Sequence, residues 1–300
     1  MKKILITGKN GYIGGEFVAW LTHSTNNYQI EMISVRDNSW KDVDFSTYDT
    51  VLHLAGIAHV SRNPKMEELY YTINRDLTFE LAKKSKLEGV SQFIFMSSII
   101  VYGESTKASQ VINQNTLPKP SNFYGNSKFQ AENKIKDLED TDFNIVIIRP
   151  PMIYGKNSKG NYPKLSKVAR KTPFFPSIKN QRSMLHIDNL CEFIKLMIDN
   201  KESGLFFPQN QEYTETSEMV RMIGEVHGNN IRLIRMFNPL IVFFIERIDF
   251  LNKMFGNLVY DKELSSYKDV YQIRNFKESI YLTERGENID KEKSPNFSKS

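Results

Sequence analysis

The sequence is poor in several features, and each lack excludes a class of protein. It has a single cysteine, Cys191, among 300 residues. One thiol makes neither an intramolecular disulfide framework nor a cysteine-based metal site, so a reducing, cytoplasmic setting is expected. No metal is expected either. No charge of one sign dominates, since 40 Lys and Arg stand against 35 Asp and Glu, a formal excess of +5. The cations are dispersed, with no basic run interleaved with aromatics, so nucleic acid is not expected as a partner. A mildly basic chain suits a small anionic molecule instead. Long apolar runs are also missing. The opening Met1-Lys2-Lys3 and the apolar run behind it are too short and glycine-rich for a signal peptide, with no small-residue cleavage site. The most apolar stretch, from Met236 to Ile245, is ended by Glu246 and Arg247, well short of the ~20 residues that span a bilayer. It reads as a helix packed on the protein, with peripheral membrane contact as the alternative. There is no internal repeat or heptad array, and residues 284–300 are polar and expected to be disordered.

What is present is a core and a rhythm. The chain is 40% hydrophobic, and its length suits one large α/β domain or two closely joined ones. Strand-like runs at 3–7, 30–35, 51–54, 93–97 and 144–148 alternate with helical patterns at 11–22, 66–87 and 128–138. The alternation predicts βαβ units and therefore a Rossmann-like, doubly wound parallel sheet with helices on both faces. After about Tyr154 the pattern is mixed: helices at 164–171, 188–200, 216–227 and 239–255, strands at 183–187 and 231–234. This predicts a smaller C-terminal lobe. The expected division is a nucleotide-binding domain over 1–154 with 183–200, and a substrate lobe over 155–182 and 201–283.

In such a sheet ligands bind beyond the carboxyl ends of the strands. Four segments end there: the loop after the first strand, Gly56, Ser97-Ser98, and Arg149-Pro150-Pro151. The first reads Ile4-Leu5-Ile6-Thr7-Gly8-Lys9-Asn10-Gly11-Tyr12-Ile13-Gly14-Gly15, a strand, a glycine turn and the start of a helix. Glycine lets backbone N–H groups approach a pyrophosphate, and the helix N-terminus adds a favourable field. The spacing is Gly-x-x-Gly-x-x-Gly rather than Gly-x-Gly-x-x-Gly.

Tyr124-Gly125-Asn126-Ser127-Lys128 opens a helical stretch in which the tyrosine and lysine share a face. A nearby ammonium favours the phenolate, so a lowered Tyr124 pKa is expected, suiting proton transfer near neutral pH. Ser98, at a strand end on the crevice rim, is placed to hydrogen-bond a carbonyl oxygen.

Thr7-Gly8-x-x-Gly11-x-x-Gly14, Leu54-Ala55-Gly56, Ser97-Ser98 before Val101-Tyr102-Gly103, and Tyr124-x-x-x-Lys128 together resemble the extended short-chain dehydrogenase/reductases. Within that family the chain is similar to nucleotide-sugar epimerases, dehydratases and reductases over residues 1–265. The resemblance implies Tyr124 as general acid/base, Lys128 on the nicotinamide ribose and Ser98 on the sugar C4 oxygen. It implies a cofactor site of Gly8, Asn10, Gly11, Tyr12, Ile13, Gly14, Leu54, Ala55, Gly56, Asn74 and Pro151, completed by Tyr124 and Lys128. Asn161 and Arg182 fall where the family holds its sugar nucleotide, a UDP-sugar, with Arg182 on the pyrophosphate. His186 reads as a structural strand residue. A homodimer through a four-helix bundle of 66–87 and 128–138 is implied by the same likeness.

Two departures select among members. Family dehydratases carry an Asp-Glu pair just after the catalytic hydroxyl, where this chain has Ile99 and Ile100, so 4,6-dehydration is excluded. Where an acid usually meets the NAD ribose this chain reads Arg36-Asp37, with Asp37 the family acid if the strand ends one residue later. Arg36 suits the 2′-phosphate of NADP, which favours NADP(H) over NAD(H). By resemblance to bacterial capsule-pathway reductases, the expected reaction is reduction of a UDP-2-acetamido-2,6-dideoxy-hexos-4-ulose to UDP-N-acetylfucosamine or UDP-N-acetylquinovosamine. A 4-epimerase with bound NAD is the alternative. A non-catalytic NADP-binding sensor or scaffold is a third reading, against which both Tyr124 and Lys128 are present.

Overall fold

Strand and helix alternate through the first half of the chain in the computed structural model, which describes residues 1–24, 27–58, 63–104, 111–236, 238–245 and 247–286. The first half runs β1 (Lys2–Thr7), α1 (Tyr12–Ser24), β2 (Tyr28–Ile33), β3 (Thr50–His53) and α2 (Glu67–Tyr70). A π-helical turn at Tyr71–Asp76 leads into α3 (Leu77–Leu87), followed by β4 (Gln92–Met96), β5 (Val111–Ile112), α4 (Phe123–Lys136) and β6 (Asn144–Ile148). The remainder comprises β7 (Met152–Tyr154), α5 (Tyr162–Ala169), β8 (Phe174–Pro176), β9 (Met184–His186), α6 (Ile187–Asp199) and β10 (Gly204–Phe206). It ends with α7 (Thr216–Val226), β11 (Arg232–Ile234), α8 (Asn238–Phe244), α9 (Asp249–Phe255), β12 (Val259–Tyr260) and α10 (Phe276–Arg285).

Six strands form one parallel sheet in the order β10-β6-β4-β3-β1-β2. Both of its faces are apolar because successive side chains point opposite ways. Ile4 and Ile6 join Leu52, Ile94 and Val146 under α1 and α6. Leu5 joins Val51, Phe93, Phe95 and Ile145 under α3 and α4. The strand order reverses between β1 and β3, and a crevice opens at the carboxyl ends there.

Three expectations are corrected. The lobe boundary near 200 moves beyond Phe206, because β10 pairs with β6 and completes the sheet. The helix expected over 239–255 is two helices. The N–H groups of Arg247 and Ile248 turn back to the Phe244 carbonyl, and Ile248 is extended at φ −115° and ψ 109°. There the inward apolar face ends at buried Ile245, and Arg247 beyond it is exposed. Glu284 belongs to α10 rather than to a frayed tail, since its carboxylate accepts from Ser166 at 2.9 Å and Arg170 at 2.9 Å. The rest of the tail, 287–300, lies outside the described residues.

Candidate functional site

β1 ends in a turn that requires glycine. Gly8 sits at φ +94°, and a Cβ there would lie 3.1 Å from the Ala55 nitrogen. The N–H groups of Gly8 and Lys9 both return to the Ile33 carbonyl, at 3.1 and 3.0 Å, and the Gly11 N–H donates to the Gly8 carbonyl at 2.8 Å. This folds Asn10, at φ 71°, and Gly11 tightly into the start of α1. The first-turn N–H groups of Tyr12, Ile13 and Gly14 have no carbonyl one turn earlier to bind. The loop is thus a backbone cradle beside Leu54-Ala55-Gly56, and it fits the diphosphate of a dinucleotide such as NAD(P). His53 locks its flank, bonding Thr7 Oγ1 at 2.7 Å and Thr78 Oγ1 at 2.9 Å. Burial first, and the Lys128 charge second, pull the His53 pKa down to about 3, so it is a neutral strut.

α4 begins earlier than the 128–138 pattern because Asn122 caps it, accepting from the Gly125 N–H at 2.9 Å. A Cβ on Gly125 would lie 2.7 Å from the Ile100 carbonyl. The missing side chain therefore lets the first turn of α4 press against the Ser98–Tyr102 turn. That brings the Tyr124 side chain next to Ser98, near enough for Ser98 to oppose the rise in its pKa. Four residues on, Lys128 is buried, donates to the Met96 carbonyl at 2.9 Å and lies 4.6 Å from the Phe95 ring centre.

The expected lowering of the Tyr124 pKa is not found. Burial pushes it up to about 12, against the opposing hydrogen bond with Ser98. Lys128 donates one of its N–H groups to the Met96 carbonyl, and burial pulls its own pKa down to about 8, with Glu132 opposing. Asn74 sits in the π-helical turn, a type of bulge common at functional sites. Its side chain accepts from Ile57 N–H at 2.9 Å and donates to the Ile57 carbonyl at 3.0 Å and Ser127 Oγ at 3.1 Å. It clamps the strand end that carries Gly56 to α4.

Sequence reasoning missed Glu132. It follows Lys128 by four residues, as Lys128 follows Tyr124, so the three share one helix face. Arg149 donates to both Glu132 oxygens, at 3.1 and 3.2 Å from Nε and 2.5 Å from Nη2, and to Tyr102 at 2.7 Å. Ser97 donates to Glu132 as well. Both ions are nearly enclosed, Glu132 at 3% and Arg149 at 4% exposure. The available signal was a carboxylate repeating the Tyr-x-x-x-Lys spacing once more.

Beyond β2, Arg36 is exposed. Asp37 caps a short 3₁₀ turn, accepting from Ser39 N–H at 3.0 Å and Ser39 Oγ at 2.5 Å. Those bonds hold its pKa below the ordinary carboxylate value. In the second lobe Arg182 exchanges backbone hydrogen bonds with Thr214 and donates from Nη1 to the Gly256 carbonyl at 2.9 Å. Burial alone pulls its pKa down to about 10, and no carboxylate among the described residues pairs with it. Asn161 stands at the start of α5 without a side-chain capping bond. Pro151 is buried directly ahead of β7. His186 is structural, buried at the start of α6, accepting from Asp188 N–H at 3.3 Å, with its pKa pulled down to about 4 by burial. The structure thus gathers Ser98, Tyr124, Lys128, Asn74, Ala55 and Gly8. No hydrogen bond or ion pair among the described residues links that group to Asn161, Arg182 or Arg36.

Comparison with known proteins gives the family and the fold. The profile of the NAD dependent epimerase/dehydratase family matches residues 4–206, and the chain belongs to that family. It is 33% identical over 243 residues to a UDP-glucose 4-epimerase of Vibrio cholerae, covering 73% of this chain and 74% of that one. It is 29% identical over 218 residues to an Escherichia coli O157:H7 N-acetyl-alpha-D-glucosaminyl-diphospho-ditrans,octacis-undecaprenol 4-epimerase, covering 67% of this chain and 64% of that one. Among solved structures, RMD from Pseudomonas aeruginosa complexed with NADPH superposes with a TM-score of 0.74 at 18% identity, over 94% of this chain and 98% of the other. A Bacillus cereus UDP-N-acetylglucosamine 4-epimerase gives 0.73 at 18% identity, over 95% and 100%. These structures share the fold.

Proposed function

We propose that this chain is a 4-epimerase acting on a sugar carried on a diphosphate, inverting C4 by removing and returning hydride through a bound nicotinamide. The observation that carries the reading is the placement of Tyr124 next to Ser98, with buried Lys128 one turn on, beside the glycine cradle. Names of the Vibrio and Escherichia relatives support the epimerase over the reductase, which reverses the order suggested by sequence alone. A diphosphate is common to a UDP-sugar and an undecaprenyl-linked sugar, and Arg182 is the cation left to receive it.

The nicotinamide supplies hydride exchange at C4. Ser98 holds the C4 oxygen and Tyr124 takes its proton, then gives it back. Lys128 binds the ribose, and its charge compensates the phenolate formed next to it. Ile99 and Ile100 follow Ser98 where an elimination would need an acid and a base. Tyr124→Phe is expected to lower turnover ~10²–10⁴-fold with folding retained. Retained activity would remove Tyr124 from the mechanism. The deciding assay incubates the protein with UDP-glucose or UDP-N-acetylglucosamine and separates the 4-epimers.

One observation favours a second reading, the NADPH-dependent 4-keto reductase. Arg36 is exposed past β2, while Asp37 is committed to its turn, so the cation is the group left for a 2′-phosphate. Steady NADPH consumption with the 4-keto-6-deoxy sugar nucleotide, and no epimer from the hydroxyl sugars, would establish it.

A further inference from the structure

The second lobe exposes an apolar stripe that the proposed chemistry does not use. Met236 is 76% exposed, Leu240 60%, Phe243 57% and Ile248 44%. Leu240, Phe243 and Arg247 follow at spacings of three and four, so they lie along one side of α8 and its exit. The opposite side is satisfied, since Ile241, Val242 and Ile245 pack in the lobe's core with Leu251 and Met254 of α9. The helix is therefore anchored inward and still presents large apolar groups outward.

The border of the stripe is cationic. Between 231 and 248 the chain carries Arg232, Arg235 and Arg247 against Glu246 alone. Arg232 and Arg235 are exposed and have no ion-pair partner among the described residues. The Arg247 guanidinium lies 4.1 Å from the Phe243 ring centre, which holds a cation beside an apolar tip. Exposed Lys179 lies two residues past Ser177, whose carbonyl accepts from the Asn238 side chain at 2.7 Å. Arg232 is also in register with half-exposed Phe174 across the β8–β11 pair. No helix among the described residues is long and apolar enough to cross a membrane, so the lipid contact this surface suits is a lateral one.

We propose that the outer face of α8, with Met236, Leu240 and Phe243 bordered by Arg235 and Arg247, is a contact surface for an anionic lipid bilayer. Apolar side chains enter the headgroup boundary while the arginines meet anionic headgroups. A second copy is the poorer partner, because a two-fold contact would set the same arginines against each other. The lipid contact does not rest on the proposed function.

The test is flotation of the full-length protein with vesicles of phosphatidylglycerol and phosphatidylethanolamine, and with phosphatidylcholine alone, at low and high salt. The protein should float with the anionic vesicles, less so at high salt. Leu240→Ser with Phe243→Ser should lower partitioning at least about tenfold. Arg235→Ser with Arg247→Ser should lower it about tenfold or more on anionic vesicles, at roughly fivefold per cation, without changing the phosphatidylcholine result. Turnover of a soluble nucleotide sugar should stay unchanged in both double variants, which separates this proposal from the catalytic one. Wild-type protein that stays at the bottom of every gradient overturns the proposal. So does light scattering that finds a dimer which the Leu240/Phe243 variant converts to monomer. Because lipid and salt dependence are read on the wild type, a variant that fails to fold does not rescue the idea.

Discussion

Lys128→Met tests the electrostatics at the centre of the site. Lys128 is 6% exposed, and its ammonium has the Phe95 ring on one side and the Met96 carbonyl as its hydrogen-bond acceptor. Burial takes its pKa from 10.5 to about 8, a drop equivalent to about 3 kcal/mol. Below pH 8 the folded and unfolded chains both hold the proton, so the folded chain bears the whole desolvation penalty. As pH rises from 8 to 10.5 the folded chain releases its proton first and the penalty disappears. Methionine fills a similar channel without charge. Deducting ~1 kcal/mol for the lost hydrogen bond leaves a gain of about 2 kcal/mol at neutral pH. Lys128→Met is therefore expected to be more stable than wild type at pH 7, with the gain gone near pH 10.5, while turnover collapses. Urea unfolding followed by circular dichroism at the two pH values measures this. A variant no more stable at pH 7, or equally stabilised at both, refutes the reasoning.

Glu132→Ala leaves the Arg149 guanidinium enclosed without its carboxylate, and a loss of about 3–5 kcal/mol is expected in the same unfolding assay. A loss below about 1 kcal/mol, the size of a surface pair, would mean that water reaches the site. Arg36→Ala should weaken NADPH binding about tenfold or more and leave NADH nearly unchanged by titration calorimetry, the size of one or two charge-assisted hydrogen bonds. Equal effects would remove Arg36 from cofactor selection. For Glu284, burial pushes the pKa up, but hydrogen bonds from His227, Ser166 and Arg170 outweigh it and hold the pKa below 4.5. Its stabilisation is present above the unfolded value and lost as pH falls through the lowered one. Glu284→Gln should therefore destabilise at pH 7 and become indistinguishable from wild type in strong acid.

The sheet was legible because its strands are buried on both faces and read as continuous apolar runs, as Ile4-Leu5-Ile6 does. The glycine loop and the Tyr124/Lys128 pair were legible because spacing along one element carries them. Three other features were hidden for physical reasons. The break between α8 and α9 depends on which side of each helix the lobe can bury, and local apolarity is similar on both. The return of β10 to the sheet is a long-range pairing of three residues with no local signature. The ionisation of Tyr124 was misjudged because the sequence gives the charge of Lys128 but not the burial of the pair. Lys128 donates to the Met96 carbonyl, and the desolvation that both side chains share pushes each toward its neutral form.

That shared desolvation gives Glu132 its place in the site. Tyr124, Lys128 and Glu132 lie on one stripe of α4; Tyr124 faces Ser98, Lys128 is tied to the end of β4, and Glu132 to Arg149 beyond β6. The outermost group is the one proposed to exchange protons, and the innermost is a fixed ion pair. A helix held by apolar contacts alone can slide by fractions of an ångström at little cost. One pinned by a carboxylate receiving Arg149 and Ser97 cannot slide without unpairing a buried charge. The same pin holds a negative charge one turn from Lys128, opposing the burial that would strip its proton. The ion pair thus fixes where Tyr124 meets Ser98 and supports the charge on the lysine between them. It does both from a position that no substrate needs to touch.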